Sequence, residues 1–124
     1  MESVQATEAA SAAVAKSPNT RVKLADIEAA IAAEYTFNLG DALRALDVPL
    51  PASGSSNVFT VCVLTMKNGF VVIGKAAPAD PANFNAELGR KFAREDAIRQ
   101  LWPLMGYSLR DVFYKYTLKN DPLS

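Results

Sequence analysis

The sequence has no histidine and only one cysteine, Cys62, among its 124 residues. Without imidazole there is no Ser-His or Cys-His nucleophile pair, no His-ligated zinc site and no histidine proton transfer near neutral pH. A lone Cys62 forms neither an internal disulfide nor a thiolate metal cage, and we interpret it as an inert, buried side chain in a strand. We therefore expect a protein that is not an enzyme and that carries no metal and no cofactor.

The chain also has no net charge, because 13 cationic residues balance 13 anionic ones. A neutral chain is not expected to bind an extended nucleic acid, which calls for a basic excess. No apolar run reaches the roughly 18 residues of a membrane span, and the N-terminal residues lack the basic-then-apolar order of a secretory leader. Together with the single free cysteine, these features predict an intracellular protein without a membrane partner.

The residues that are present predict one folded domain. Half of them are hydrophobic and 21% are charged, which is typical of a globular protein about one domain long. Residues 1–19 are rich in Ala and Ser and end at Ser17-Pro18-Asn19, a sequence that disfavours a helix passing through. We predict a flexible tail over residues 1–19 and a single domain over residues 20–124.

Two short helices are predicted at the start of this domain. The apolar positions between Leu24 and Tyr35 follow helical spacing, and Asp26 lies early, where it favours the helix dipole. A second helix is expected to begin after Asn38, a good N-cap, and to continue through Leu46. The prolines and serines between Pro49 and Asn57 predict a loop.

A β-hairpin is the strongest local prediction. Two β-rich segments within Val58–Lys75 flank Asn68-Gly69, the dipeptide that best fits a two-residue type I′ turn. Such a turn pairs Lys67 with Phe70, Met66 with Val71, and Leu64 with Ile73. The two resulting faces are both apolar: one has Leu64, Met66, Val71 and Ile73, and the other has Phe59, Val61, Val63, Phe70 and Val72.

Because an exposed apolar sheet face is an association site, we expect one face to lie on a helix. The other face is then covered by the first helix, by further strands or by a second copy of the chain. We therefore predict a homodimer or a higher homo-oligomer.

A long helix is expected to start after Asp80 or Asn83 and to end at about Leu101 or Trp102. Its small residues recur every four positions and let its backbone approach the hairpin closely: they are Gly89, Ala93 and Ala97. Beyond it, Pro103 is expected to end or kink the helix, Gly106 to provide a left-handed exit, and Ser108 with Asp111 to cap a last short helix. The predicted fold class is α+β: a β-hairpin, extended or not by a further strand, packed against a long helix with flanking short helices.

The long helix also carries a group of cations that could bind an anion. Arg90, Lys91 and Arg94 lie within about 6 Å of helical rise, and Trp102 and Tyr107 follow. Arginine forks suit phosphates and aromatic rings stack on bases, so these five residues are the candidate ligand-binding set. The alternative interpretation is an ordinary solvated helix face. We interpret the adjacent Glu95 and Asp96 as a solvated pair, because neighbours on a helix point about 100° apart.

The segment from Thr60 to Tyr107 resembles the gp forty-nine / sixty-six family of small tailed-phage proteins, and Val22, Asp26, Ile27, Ile31 and Tyr35 match its first helix. The residues that carry the motif are Asn68, Gly69, Phe70, Gly74, Asn83, Phe84, Gly89, Ala93, Ala97, Pro103 and Gly106. The resemblance implies a phage or prophage origin and a place in the host bacterial cytoplasm. It brings no catalytic residues with it.

Small accessory phage proteins often interfere with host defence, and this association shapes two hypotheses. In the first, the protein binds and sequesters a small anionic nucleotide-type signal. In the second, it is an interaction module that inhibits a host enzyme through the hairpin face. The expected partner is accordingly a small anionic ligand or a host protein.

Overall fold

The computed structural model describes residues 3–15 and 21–120, with side chains to residue 118. Within the described residues, three strands and four helices form an α+β fold, which confirms the predicted class. The strands are β1 (Ile31–Asn38), β2 (Thr60–Met66) and β3 (Val71–Ala76), and the helices are α1 (Val4–Val14), α2 (Leu24–Ala30), α3 (Leu39–Ala45) and α4 (Ala86–Asn120). Single 3-10 turns lie at Ser55–Val58 and Pro81–Asn83.

The chain divides into two compact units. The sheet unit is Ala30–Ile98, and the helical unit combines Met1–Ala29 with Arg99–Ser124, as far as those ranges are described. The single domain over residues 20–124 stays a prediction.

In the sheet unit the strands form an antiparallel sheet in the order β1-β2-β3. The hairpin of β2 and β3 is confirmed, but its predicted register is wrong by one residue, since Leu64 faces Val72 and not Ile73. The Met66 N–H bonds to the Phe70 carbonyl and the Gly69 N–H to the Met66 carbonyl, with Gly69 at a φ of 90°. This is a three-residue loop with a left-handed glycine, which Asn-Gly serves as readily as the two-residue turn.

A one-residue shift exchanges the faces of a strand, so the predicted grouping of the hairpin side chains is wrong as well. The face toward α4 carries the buried Cys62, Leu64, Met66, Val72 and Gly74. The opposite face, here called the outer sheet face, carries nine side chains in three rows: Ala33, Thr65 and Val71; Tyr35, Val63 and Ile73; Phe37, Val61 and Lys75.

The small residues of α4 allow the close packing that their spacing predicted. A Cβ on Gly74 would come 2.9 Å from the Ala97 Cβ, and one on Gly89 would come 2.6 Å from the Thr60 hydroxyl oxygen. Ala93 and Ala97 are fully buried. The sheet and the N-terminal part of α4 therefore touch through backbone rather than through large side chains.

The predicted helix over Leu24–Tyr35 is wrong in its second half. Helix α2 ends at Ala30, and Ile31 begins β1, whose register continues through Tyr35 opposite Val63. The apolar spacing fits a helix, but the β-branched and aromatic residues also fit a pleated sheet, and pairing with β2 decides in favour of the strand. The hairpin is thus extended by one further strand, β1, which the prediction had left open. Helix α3 is confirmed, and the Asn38 side chain accepts from the Asp41 N–H as its N-cap.

Helix α4 is longer than predicted, because it runs through Pro103 and Gly106 to Asn120. A proline removes one N–H donor and crowds one carbonyl, and the turns on either side keep their hydrogen bonds, so here the helix continues. The expected left-handed exit and last short helix are therefore wrong. The expected cap is also corrected: Asn85 accepts from the Leu88 N–H at 3.0 Å, whereas Asp80 caps the 3-10 turn before it.

In the helical unit, helix α1 lies within the segment predicted as a flexible tail. The Ser3 hydroxyl caps α1, Glu8 forms an ion pair with Arg21, and Val4 is buried. These contacts fix a helix whose apolar surface alone is small. The flexibility of residues 1–19 stays a prediction, and residues 1–2 and 16–20 lie outside the described part of the chain.

Candidate functional site

A cavity of about 630 Å³ opens in the sheet unit beside the free edge of β1. Its walls come from β1, α3, the 3-10 turn at Ser55–Val58, the start of β2 and the region where α4 begins. Here it is called the β1-edge cavity, and its lining residues are Thr36, Phe37, Asn38, Asp41, Arg44, Asn57, Thr60, Phe84, Ala86 and Arg90.

Asn38 positions one wall of the β1-edge cavity. Its Oδ1 caps α3, and its Nδ2 donates to the Asn57 carbonyl at 2.8 Å. A Cβ on Gly40 would come 2.4 Å from the Asn57 Oδ1 and 3.1 Å from the Asn57 Cα, so glycine at this position lets α3 lie close to the turn. One side chain thus fixes where β1 ends, where α3 begins and where the Asn57 turn sits.

Two arginines give the cavity its positive charge. Arg44 on α3 pairs with Asp41 at 3.2 Å and donates to the Asn57 side chain. Arg90 reaches the cavity from the second turn of α4. With Asp41 as the one carboxylate of the lining, the formal charge of the site is +1. The N-terminal end of α4, at Ala86, adds partial positive charge from its dipole.

The side chains that sequence reasoning proposed for ligand binding lie in different places. Arg90 lines the β1-edge cavity, and neither Lys91 nor Arg94 does so. Lys91 is exposed on α4, and Arg94 Nε donates to Glu34 Oε1 at 2.9 Å. Arg94 is therefore bound across the sheet unit to β1.

The two aromatic candidates belong to the helical unit. Trp102 is half-buried and its indole N–H donates to the Val22 carbonyl at 3.1 Å. Tyr107 is 76% exposed. An indole that already donates its one proton has a structural explanation, whereas Tyr107 is open to solvent.

Sequence reasoning missed most of the cavity. Phe84 appeared among the motif residues without a role, whereas Arg44, Asn57 and Phe37 did not appear as candidates. The sequence does predict the position of Arg44, since a helix capped by Asn38 places this residue on its second turn. Arg44 and Arg90 are 46 positions apart in the sequence, and they line the same cavity only because of the way α3 and α4 pack around the sheet.

Glu95 and Cys62 are buried residues of the sheet unit, and Asp96 is partly exposed. Glu95 is only 4% exposed, which makes the prediction of a solvated pair wrong for this residue, because the α4 face roughly opposite Ala93 and Ala97 is covered too. Asp96 accepts a hydrogen bond from the Lys75 N–H. Cys62 is fully buried as expected, and this burial raises the pKa of its thiol, which the hydrogen bond with Thr36 only partly offsets.

Two other kinds of site are absent from the described part of the chain. No group of three or more Cys, Asp or Glu side chains there is arranged to hold a metal ion. No helix there combines the length and apolar content needed to cross a bilayer.

Comparison with known proteins gives one match. The family model described as the Phage protein (N4 Gp49/phage Sf6 gene 66) family matches residues 22–113, which include both strands of the hairpin, the whole cavity lining and most of α4. No curated protein and no solved structure matches significantly.

Proposed function

We propose that this chain, which belongs to the phage protein family of N4 Gp49 and the product of phage Sf6 gene 66, acts without catalysis by binding a small anionic molecule of the nucleotide type. The ligand occupies the β1-edge cavity. Sequestering such a signal in the host bacterial cytoplasm would blunt a host defence pathway. The observation that carries the proposal is the convergence of Arg44 and Arg90 on one cavity.

The chemistry of the lining fits the phosphate of a nucleotide. Two guanidinium groups from separate helices provide forked donors, and phosphates accept such forks in bidentate fashion. Asp41 already neutralises part of the charge of Arg44. The net single positive charge therefore favours a phosphate monoester or diester over a highly charged polymer.

The rest of the lining fits a base and a sugar. Phe37 and Phe84 offer ring faces, and base–aromatic stacking contributes about 1–3 kcal/mol for each base. Asn38, Asn57 and Thr60 offer amide and hydroxyl groups for hydrogen bonds. The volume of about 630 Å³ lies within the roughly 300–1,000 Å³ of small-molecule sites.

The other predicted ligand residues take supporting roles in this proposal. Lys91 follows Arg90 on α4 and increases the positive potential that a phosphate meets, whereas Glu34 balances the charge of Arg94. Trp102 and Tyr107 belong to the helical unit and do not line the β1-edge cavity. Their contributions are therefore expected to be smaller than that of Arg90.

Titration calorimetry of the full chain against nucleoside monophosphates, cyclic mono- and dinucleotides and ADP-ribose tests the proposal. At least one of these is expected to bind, and Arg90→Ala and Arg44→Ala should each weaken binding about tenfold or more, since each removes a charge-assisted hydrogen bond. Arg110→Ala is the matched control, because it removes the same charge from an exposed residue that does not line the cavity. No heat with any compound, or equal losses in all three variants, would refute the proposal.

A second function is favoured by the outer sheet face. Tyr35, Val71 and Ile73 are 60%, 48% and 58% exposed there, next to Phe37 at 38%. Contiguous exposed apolar side chains mark interaction surfaces. Such a surface suits either inhibition of a host enzyme or self-association.

Capture from host lysate separates the two functions. If a host enzyme binds this face, Ile73→Lys should abolish capture and Arg90→Ala should leave it intact. The reverse pattern would count against the interaction function.

A further inference from the structure

The two edge strands of the sheet, β1 and β3, differ in what contacts their outward main-chain groups. On the β3 edge, Asp96 Oδ2 of α4 accepts a hydrogen bond from the outward Lys75 N–H at 2.9 Å. A side chain thus occupies part of that edge and hinders another strand from pairing there. The other edge is β1, which is eight residues long.

The hydrogen-bond pattern shows which peptide groups of β1 face outward. Leu39 donates its N–H to the Phe59 carbonyl. Because bonded pairs alternate in an antiparallel ladder, Ala33, Tyr35 and Phe37 point their peptide groups at β2, and Glu34 and Thr36 point theirs away. No hydrogen bond from elsewhere in the described chain reaches the outward N–H groups of Glu34 and Thr36.

The regular part of this edge is short and well defined. The register between β1 and β2 shifts between Ile31 and Ala33, so a bulge interrupts the strand at its N-terminal end. At its C-terminal end Asn38 gives way to α3. An incoming strand can therefore pair only with residues 33–38.

A second copy of β1 fits this edge in one antiparallel register. Centring the pair on Thr36 places Thr36 opposite the partner's Thr36, and Glu34 opposite the partner's Asn38, entirely within the regular part. Centring it on Glu34 would oppose two like charges, and centring it on Tyr35 would draw the bulge into the ladder. The register is thus selected by charge and by backbone geometry.

We propose that two copies of this chain pair through their β1 strands, antiparallel and centred on Thr36, to form a continuous six-stranded sheet. About four main-chain hydrogen bonds join the strands through Glu34, Thr36 and the Asn38 N–H. On the outer sheet face, Tyr35 lies opposite the partner's Phe37 in two symmetry-related aromatic pairs, which stabilise cross-strand contacts. Glu34 keeps its ion pair with Arg94, so no unpaired charge enters the interface.

The pairing also borders the β1-edge cavity, which Thr36, Phe37 and Asn38 line. It does not rest on the proposed ligand, and its test needs no ligand.

Sedimentation equilibrium of the full chain at tens of micromolar tests the pairing. We expect twice the 13.3 kDa chain mass. Thr36→Pro removes an outward N–H and the side-chain hydrogen bond between Thr36 and Cys62, but no main-chain hydrogen bond to β2. It should therefore give the single-chain mass with an unchanged circular dichroism spectrum. Val71→Pro is the matched control on the other edge strand and should leave the dimer intact. A single-chain mass for the unaltered protein, or a dimer that survives Thr36→Pro, would overturn the proposal.

Disulfide trapping tests the register and decides the matter if Thr36→Pro does not fold. In a Cys62→Ala background, Thr36→Cys places two cysteines opposite each other with Cα atoms about 5.5 Å apart, within disulfide range. Tyr35→Cys, one position along, has no cysteine opposite it. We expect a covalent dimer with Thr36→Cys and little or none with Tyr35→Cys. Equal trapping, or trapping of neither variant, would contradict the register.

Discussion

A Cβ atom at Gly74 on β3 would lie 2.0 Å from the Ala93 carbonyl oxygen of α4 and 2.5 Å from the Ala97 amide nitrogen. Both obstacles are backbone atoms, which cannot swing aside as the end of a flexible side chain can. The sheet unit therefore depends on glycine at this position.

We predict that Gly74→Ala lowers the free energy of unfolding by about 3 kcal/mol, because the helix or the strand must move to admit one methyl group. Urea denaturation followed by circular dichroism measures the change. A loss below about 0.5 kcal/mol would show that α4 does not approach β3 this closely.

The same substitution should have the opposite effect at Gly106. This residue lies inside α4, and a Cβ there would meet no atom within 4 Å. Alanine is favoured over glycine in a helix interior by about 1 kcal/mol, so Gly106→Ala should raise the free energy of unfolding by that amount. A destabilised Gly106→Ala protein would indicate that α4 is interrupted near Pro103, as the sequence alone suggested.

These glycines also show which parts of the fold the sequence could predict. The spacing of Gly89, Ala93 and Ala97 is a local pattern with one structural use, and it led to the correct packing. The turn at Asn68-Gly69 is also local, but it is compatible with two loop lengths that differ by one residue. The two lengths place opposite faces of β3 against α4. Only the fit of Val72 and Gly74 under α4 selects between them.

Features that depend on distant parts of the chain could not be predicted. Ile31 and Tyr35 have helical spacing, and β2, about 30 positions later, makes them part of a strand. The β1-edge cavity also depends on distant parts of the chain, since Arg44 comes from α3 and Arg90 from α4. Sequence reasoning found Arg90 because the cations around it are neighbours in the chain. It missed Arg44 because the nearest cations in the sequence, Lys23 and Lys67, are more than 20 positions away.

The buried thiol predicts a loss of stability at alkaline pH. Burial raises the folded-state pKa of Cys62 above the ordinary value of 9.0. The folded protein therefore keeps the proton where the unfolded chain has lost it, so this contribution is complete below about pH 9 and is lost as the pH rises through the folded pKa. Denaturation midpoints measured from about pH 8 to pH 11 should fall more steeply for the unaltered chain than for Cys62→Ala. Parallel slopes would contradict this prediction.

The ion pair that holds α1 predicts the opposite dependence at acidic pH. The Arg21 side chain bonded to Glu8 lowers the pKa of that carboxyl below its usual 4.5, and the Leu24 N–H adds to the effect. The stabilisation is present above about pH 4.5 and is lost as the pH falls through the depressed folded pKa.

Hydrogen exchange checks this dependence on α1 itself. Protection factors of the Val4–Val14 amides should fall about three- to tenfold between pH 6 and pH 3, the range of a partly exposed ion pair. Glu8→Gln should give the low protection at both values. Equal protection of α1 in both proteins at pH 6 would show that the ion pair does not hold the helix.

The central claim is that an anionic nucleotide binds where Arg44 and Arg90 meet, and amide chemical-shift mapping with the nucleotides named above tests it most directly. We predict that at least one nucleotide shifts the backbone amides of Thr36, Phe37, Asn57 and Arg90, and that the amides of Val71 and Ile73 on the outer sheet face stay in place. Shifts confined to the outer sheet face, or the absence of shifts with every nucleotide, would contradict the account.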